Sequence, residues 1–314
     1  MSVNILFAAK ESDWSEYKAP LATALDKAGV DFKLSNSQSA DFSAAETDYM
    51  VWSPNSVVQD FTPYTQCKAV LSLWAGVERV INNPTLTQPL CRMVDRGLEE
   101  GMVDWVTGHA LRHHLGMDAQ ILGQNGVWAP QTPPLARHRR VTVLGLGALG
   151  SACARMLRQV GFDVAGWSRR PKDIEGITCF SGDEGLRNAL KRSEILVLLL
   201  PNTAQTENII NAETLALMPD ASFIINPGRG PLIDDDALLR ALDTGKIAHA
   251  TLDVFRVEPL PGTHPYWTHP NVTVTPHMAA ETRIDSSAEV IAENVRRGEQ
   301  GEPFLYLADR KTGY

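Results

Sequence analysis

Six residues in this sequence of 314 residues have types and spacings that suit chemistry on a phosphorylated cofactor and a small acid. Gly145, Gly147 and Gly150 stand in G-x-G-x-x-G spacing within Val-Thr-Val-Leu-Gly-Leu-Gly-Ala-Leu-Gly-Ser. A strand is predicted to end at Leu144 and a helix to begin near Ala148, the context in which that spacing marks a phosphate-binding turn. Gly145 allows the tight turn, Gly147 lets the backbone approach a pyrophosphate, and Gly150 lets the helix pack close to the strand. The helix start, with Ala148 and Leu149, then offers free N–H groups and a favourable dipole to the phosphates.

The next strand bears on which dinucleotide would bind. NAD-binding turns are usually followed, about 20 residues on, by an acid that accepts from the ribose hydroxyls. Here the place is taken by Trp167-Ser168-Arg169-Arg170-Pro171-Lys172, which contains no acid. A 2′-phosphate would be repelled by Asp, whereas an Arg grips it with two parallel hydrogen bonds. The expected cofactor is NADP(H) in preference to NADH, with Ser168 and Arg169 as main determinants and Arg170 beside them. A solvated basic loop is the competing reading of the same residues.

Arg229, Glu258 and His277 complete the set. They lie in Ile-Ile-Asn-Pro-Gly-Arg-Gly (224–230), Leu-Asp-Val-Phe-Arg-Val-Glu-Pro-Leu (252–260) and Val-Thr-Pro-His-Met-Ala-Ala (274–280). Each segment follows a predicted strand end, where open α/β sheets place their ligands. Taken singly, they also read as a surface cation, a solvated loop acid and a half-buried histidine.

The elements that must position these residues follow from the apolar pattern. Strands are predicted over 3–8, 49–52, 69–74 and, more weakly, 91–94, with helices over 16–28 and 101–122. Short apolar runs separated by helices are what a parallel sheet covered on both faces requires. The Pro-rich stretch 126–140 reads as a connection. Alternation then restarts with strands at 141–144, 162–167, 195–200, 222–225, 248–252 and 272–274, helices at 149–159 and 235–242, and a final helix over 279–297. Six strands with intervening helices fit one doubly wound α/β domain.

Composition narrows the class. The chain is 44% apolar and 21% charged, and its net charge of −8 disfavours a general binder of nucleic acid. The longest clean apolar run, 195–200, is far short of the roughly 20 residues that span a bilayer. The start, MSVNILFAAKESDW, carries no basic leader, so a cytoplasmic protein is expected. Cys67, Cys91, Cys153 and Cys179 are too widely spaced for a disulfide framework or a structural zinc site, and no metal is expected. They read as buried free thiols.

The order Arg, Glu, His behind a dinucleotide turn resembles the D-isomer-specific 2-hydroxyacid dehydrogenases. Five ordered stretches carry the resemblance between about 141 and 282: LGLGALG, LLLPNTAQT, INPGRGPLIDDDALLRAL, LDVFRVEPL and VTPHMAAET. Further towards the N-terminus, Leu-Ser-Leu-Trp-Ala-Gly-Val-Glu (71–78) is similar to the family's substrate loop. The WSR segment, Val-Trp-Ser-Pro (51–54) and the ending Gly313-Tyr314 resemble the subgroup that reduces glyoxylate and hydroxypyruvate.

The resemblance implies roles. His277 would be the general acid that protonates a ketone oxygen as hydride arrives at carbon, since imidazole exchanges protons near neutral pH. Glu258 would pair with the other ring nitrogen, fixing the tautomer and favouring the protonated form. Arg229 would present a forked cation to the substrate carboxylate and carbonyl. The amides of Ala75 and Gly76 would hold that carboxylate from the other side of a cleft, and Trp52 and Trp74 would narrow the pocket, with core packing an equal reading for both tryptophans. Leu200, Pro201 and Thr206, Pro227 and Gly228, and Asp253 near the carboxamide, together with His277, would line the cofactor pocket.

The implied architecture is a Rossmann doubly wound parallel sheet over 101–282 and a smaller flavodoxin-like substrate domain from 1–100 with 283–314. The implied activity is NADPH-preferring reduction of small 2-ketoacids. Another D-2-hydroxyacid activity (phosphoglycerate or a bulkier keto acid) and a non-catalytic dinucleotide-sensing protein remain alternatives. A homodimer is expected, with 111–140 as its arm and Trp128 reaching a neighbouring subunit, and no nucleic acid or membrane partner.

Overall fold

The structure is a computed structural model and describes residues 2–310; the Gly313-Tyr314 ending lies outside them. Two compact units form, one from the chain up to Leu98 together with the chain from Glu281 onward, the other from Glu99–Ala280.

The elements run β1 (Val3–Ala8), α1 (Glu11–Lys27), β2 (Phe32–Asn36), β3 (Tyr49–Trp52), β4 (Ala69–Ser72) and β5 (Leu90–Cys91). Next come α2 (Arg96–Leu115), α3 (Met117–Leu122), β6 (Arg140–Leu144), α4 (Ala148–Val160), β7 (Asp163–Ser168), β8 (Thr178–Ser181), α5 (Gly182–Lys191) and β9 (Ile195–Leu198). The chain continues through α6 (Ala212–Leu217), β10 (Ser222–Asn226), α7 (Asp235–Asp243), β11 (Ile247–Leu252) and β12 (Val272–Val274) to α8 (Ile284–Gln300).

In the first unit the strand order is β2-β1-β3-β4-β5, every pair parallel. This is the flavodoxin-like order. Alternate residues enter two cores. Ile5, Phe7, Tyr49, Val51 and Leu71 pack with Leu21 and Leu25 of α1 and Ile291 and Val295 of α8. Leu6, Met50, Trp52 and Val70 pack with Phe61, Ile81 and Leu86 on the opposite face. Burial on both faces is why the central strand β3 is apolar at every position.

The second unit has seven strands in the order β12-β11-β10-β9-β6-β7-β8, again all parallel. Counted within the unit, that is the 3-2-1-4-5-6 Rossmann order with one further edge strand. Leu144, Leu196, Leu198 and Ile224 face one core, while Val141, Val143, Ile195, Val197 and Ile225 face the other.

Several expectations are corrected. The second unit has seven strands rather than six because β8 is an edge strand without an apolar run, only partly covered along its length. Edge strand β2 escaped notice for the same reason, with only Ser35 and Asn36 buried. The helix expected over 101–122 begins at Arg96 and breaks at Gly116, whose φ of 63° is left-handed, before α3 resumes. The final helix starts at Ile284 rather than 279; residues 279–283 form no helix, and the Ala279 N–H donates to the Asp253 carboxylate. Cys179 is only partly buried, unlike the other three free thiols.

Candidate active site

The second unit gathers its functional side chains at the carboxyl ends of β6, β7, β9, β10, β11 and β12. The glycine turn lies between β6 and β9, where the direction of strand succession reverses. Gly145 has φ 105°, and a Cβ there would sit 2.3 Å from the Leu199 carbonyl oxygen. Gly150 packs so close that its Cβ would lie 1.7 Å from the Gly145 oxygen. Gly147 differs, because a Cβ there meets nothing within 4 Å. It is exposed and is the N-cap of α4, with no side-chain cap on that helix. Ala148 is exposed and Leu149 half-buried in the first turn. The open backbone and uncapped helix start fit a dinucleotide pyrophosphate.

The rim of this turn is also assembled. Ser168 ends β7 and donates its hydroxyl to the Arg170 carbonyl at 2.7 Å, so Arg169 and Arg170 leave the sheet in a tight exposed bend. Leu200 is buried and Pro201 half-buried after β9. Thr206 shapes their loop by donating to the Pro201 carbonyl at 2.6 Å and accepting from the Thr203 N–H at 2.8 Å. Pro227 and Gly228 are buried, and Gly228 is pressed against β9, its Cβ position 2.7 Å from the Leu198 oxygen.

Arg229 follows on the same loop. Asn226, 1% exposed, braces it, accepting from the Gly228 N–H at 3.1 Å and donating to the Arg229 carbonyl at 3.0 Å. The guanidinium folds back to its neighbour and donates to the Gly228 carbonyl at 2.7 Å. Residues Gly230–Leu232 form a 3-10 turn, and the Gly230 backbone abuts Phe255.

Glu258 and His277 come together in a hydrogen bond, Oε2 lying 2.8 Å from Nδ1. The other carboxylate oxygen accepts from the Phe255 N–H at 2.8 Å, so Glu258 is oriented on both sides. With Nδ1 engaged, Nε2 is the ring nitrogen left to face a substrate, and the His277 side chain is 52% exposed.

His277 has φ 52°, a left-handed conformation that costs a non-glycine residue about 1–2 kcal/mol. Asp253 holds it there. The Asp253 carbonyl accepts from the His277 N–H at 2.8 Å, and its carboxylate accepts from Met278 N and Ala279 N, each at 2.9 Å, and from the Thr275 hydroxyl at 2.6 Å. Hydrogen bonds to a charged group contribute about 1.5–3 kcal/mol each, enough to outweigh the strain. Asp253 was expected beside the carboxamide; in the structure both carboxylate oxygens are engaged in the turn that carries His277.

A polar layer beneath this turn was not anticipated. His249, Thr251 and Asp253 alternate along one face at the end of β11, and α2 lays His109, Arg112 and His113 near them. His113 Nε2 lies 3.0 Å from Thr251 Oγ1, His249 Nε2 lies 2.8 Å from Thr273 Oγ1, and Arg112 bonds Thr273 and Asp118. Burial pushes all three imidazoles down, His109 and His249 to about 4 and His113 to about 3. The period-two polar residues His249, Thr251 and Asp253 were the available signal.

The first unit carries the remaining candidates. Trp52 is a core residue rather than a pocket wall: it is 1% exposed, packs on Phe61 and donates its indole N–H to the Val58 carbonyl at 2.8 Å. Trp74 is 41% exposed in the turn after β4, with Ala75 and Gly76 half-buried beside it. The Ser72 hydroxyl, 3.0 Å from both the N–H and the carbonyl of Trp74, and the Met93 N–H, at 3.1 Å from that carbonyl, hold the turn.

Residues 106–279 match the D-isomer specific 2-hydroxyacid dehydrogenase, NAD binding domain. The chain belongs to the D-isomer specific 2-hydroxyacid dehydrogenase family. It is thus an oxidoreductase by family. Among curated relatives, glyoxylate/hydroxypyruvate reductase A of Yersinia enterocolitica is 33% identical, covering 99% of this chain and 100% of that protein. A family member from Xanthobacter autotrophicus Py2, solved with NADPH and MES, superposes with TM-score 0.91 at 38% identity over the whole of both chains. The NADPH-dependent glyoxylate/hydroxypyruvate reductase of Sinorhizobium meliloti, solved with NADP and sulfate, gives 0.87 at 32%, again over both whole chains.

Proposed function

We propose that this dehydrogenase reduces small 2-ketoacids, glyoxylate and hydroxypyruvate foremost, to 2-hydroxyacids with NADPH. The observation that carries the reading is the Glu258–His277 pair, 2.8 Å apart, at strand ends shared with the open glycine turn. The bound nicotinamide supplies the hydride. His277 donates the Nε2 proton to the ketone oxygen, so that the product leaves as an alcohol rather than an alkoxide. Glu258 keeps Nδ1 protonated and the ring aimed. Arg229 binds the substrate carboxylate and stabilises charge on the reacting oxygen. The second unit holds the dinucleotide at its glycine turn.

Preference for NADPH is supported by Ser168, Arg169 and Arg170 at the end of β7, where an acid would repel a 2′-phosphate. The named relatives point to the same cofactor and to the same two substrates. Free thiols at all four cysteines suit a reducing cytoplasm. A homodimer is supported by the exposed apolar side chains Ile121, Leu122, Val127 and Leu135 with Trp128, 95% exposed; sedimentation equilibrium tests it. Among the described residues no helix is long and apolar enough to cross a membrane.

Following NADPH absorbance with a panel of 2-ketoacids tests the reading. Oxidation fastest with glyoxylate and hydroxypyruvate is expected. Faster turnover of phosphorylated or bulky keto acids would move the substrate assignment, and no oxidation with any would leave a dinucleotide-sensing protein.

A further inference from the structure

We propose that Arg256 is a positioning residue that locks the Glu258 loop against the Arg229 loop, an inference that rests on the reaction proposed above. Residues 253–258 after β11 form no regular element, and within them Glu258 is tied to Phe255 N–H. That tie fixes the shape of the loop but not its place on the sheet. Arg256 supplies the place. Its guanidinium reaches back over the 3-10 turn that follows Arg229 and donates to the main-chain carbonyls of Ile233, at 2.5 Å, and Pro231, at 3.4 Å. The same group bonds Asn208 Oδ1 on the loop after β9. Two carboxylates flank it, Asp235 at 3.4 Å and Glu207 at 3.6 Å. Asp235 is itself fixed by the Tyr266 hydroxyl at 2.9 Å.

Three loops at the carboxyl end of the sheet therefore meet on one side chain. Beneath it the backbones touch: a Cβ on Gly230 would lie 2.0 Å from the Phe255 carbonyl carbon and 2.4 Å from Arg256 N. The chain of contacts runs from Arg229 through Gly230 to Phe255, and from Phe255 through Glu258 to His277. An exposed ion pair alone would contribute little. A guanidinium on a side chain 31% exposed, giving fixed-geometry hydrogen bonds to main-chain carbonyls, does more, and a lysine cannot reproduce that fork. The residue touches neither proton nor hydride; it acts through Glu258.

The test is a double-mutant cycle in the full-length enzyme, with Arg256→Met and Glu258→Gln alone and together. A small misplacement of a catalytic group costs up to about 100-fold, so R256M is expected to lower kcat about 10- to 100-fold with the NADPH dissociation constant unchanged. In the E258Q background R256M should cost nothing further, since the group it positions is already lost. R256K should fall between wild type and R256M. Amide exchange at Phe255 should accelerate in R256M and, less, in R256K, a readout independent of turnover. Equal losses in both backgrounds, or Phe255 exchange unchanged in either variant, would overturn the inference. Wild-type enzyme that oxidises no NADPH with 2-ketoacids would instead sink the functional reading, while the exchange result still decides whether Arg256 holds the loop.

Discussion

The backbone N–H of His277 donates to the backbone carbonyl of Asp253 at 2.8 Å, while the Asp253 carboxylate binds the next two amides. A single acid thus fixes both the strained conformation of His277 and the exit of the chain from it. Asp253→Asn keeps the shape but replaces one accepting oxygen with a donor that faces an N–H. The expected outcome is a stability loss of about 1–3 kcal/mol and a turnover loss beyond what the folded fraction explains. Urea unfolding combined with kcat per folded molecule measures both. Wild-type turnover in that variant would show that the turn does not need the charge.

His277→Asn removes the proposed proton donor and leaves the glycine turn untouched. Turnover should drop about 10²–10⁴-fold while NADPH binding, followed by nucleotide fluorescence, stays near wild type. Arg229→Lys retains the charge without the fork, so KM for the keto acid should rise with kcat reduced as well. Near-normal turnover in H277N would mean that another group donates the proton.

Arg169→Ser separates the two cofactors. Losing a charge-assisted contact to a 2′-phosphate should raise KM for NADPH about 10- to 100-fold, and KM for NADH should hardly move. Michaelis constants for both nucleotides in wild type and variant make the comparison. Equal constants in the wild type would refute the cofactor assignment.

Low pH should destabilise the second unit through the layer of His109, His113 and His249. Burial depresses all three, so their charging is opposed only in the folded state. Stability is therefore complete above the unfolded value near 6.5 and declines as pH falls towards 4, where the unfolded chain binds more protons. His113, 4% exposed, accounts for a loss on the order of 3 kcal/mol by pH 4. Arg112 beside the cluster disfavours each added charge, and Asp118 offsets part of it. Denaturation curves between pH 4 and 7.5 report the decline, and His113→Phe should flatten it. A wild-type curve already flat over that range would contradict the placement of the layer.

How much of this was legible depends on how local each signal is. The doubly wound class came from strands such as Ile195 to Leu198, which is continuously apolar because both faces are covered. The glycine turn was readable because its three glycines and the strand and helix that flank them lie within one short segment, although the close approach of Gly145 to Leu199 after β9 was not. Edge strands β2 and β8 were not, since an uncovered strand has no apolar run to show. Trp52 illustrates the other failure: an aromatic side chain reads alike in a core and at a pocket, and only its packing on Phe61 separates the two.

Sequence by itself determined the residue types, their order and the turn chemistry: three glycines, an arginine-rich segment with no acid, and Arg229, Glu258 and His277 each after a strand. Those are properties of short segments, and short segments are set by backbone sterics and side-chain chemistry. What only the tertiary structure decided is which groups hold one another. Asp253 turned out to engage both its oxygens in the His277 turn, Arg256 to bridge three loops, and half-buried His109 and His249 to share a polar layer with buried His113. Those partners lie far apart along the chain, and parallel pairing across crossovers is what brings the strand ends that carry them together.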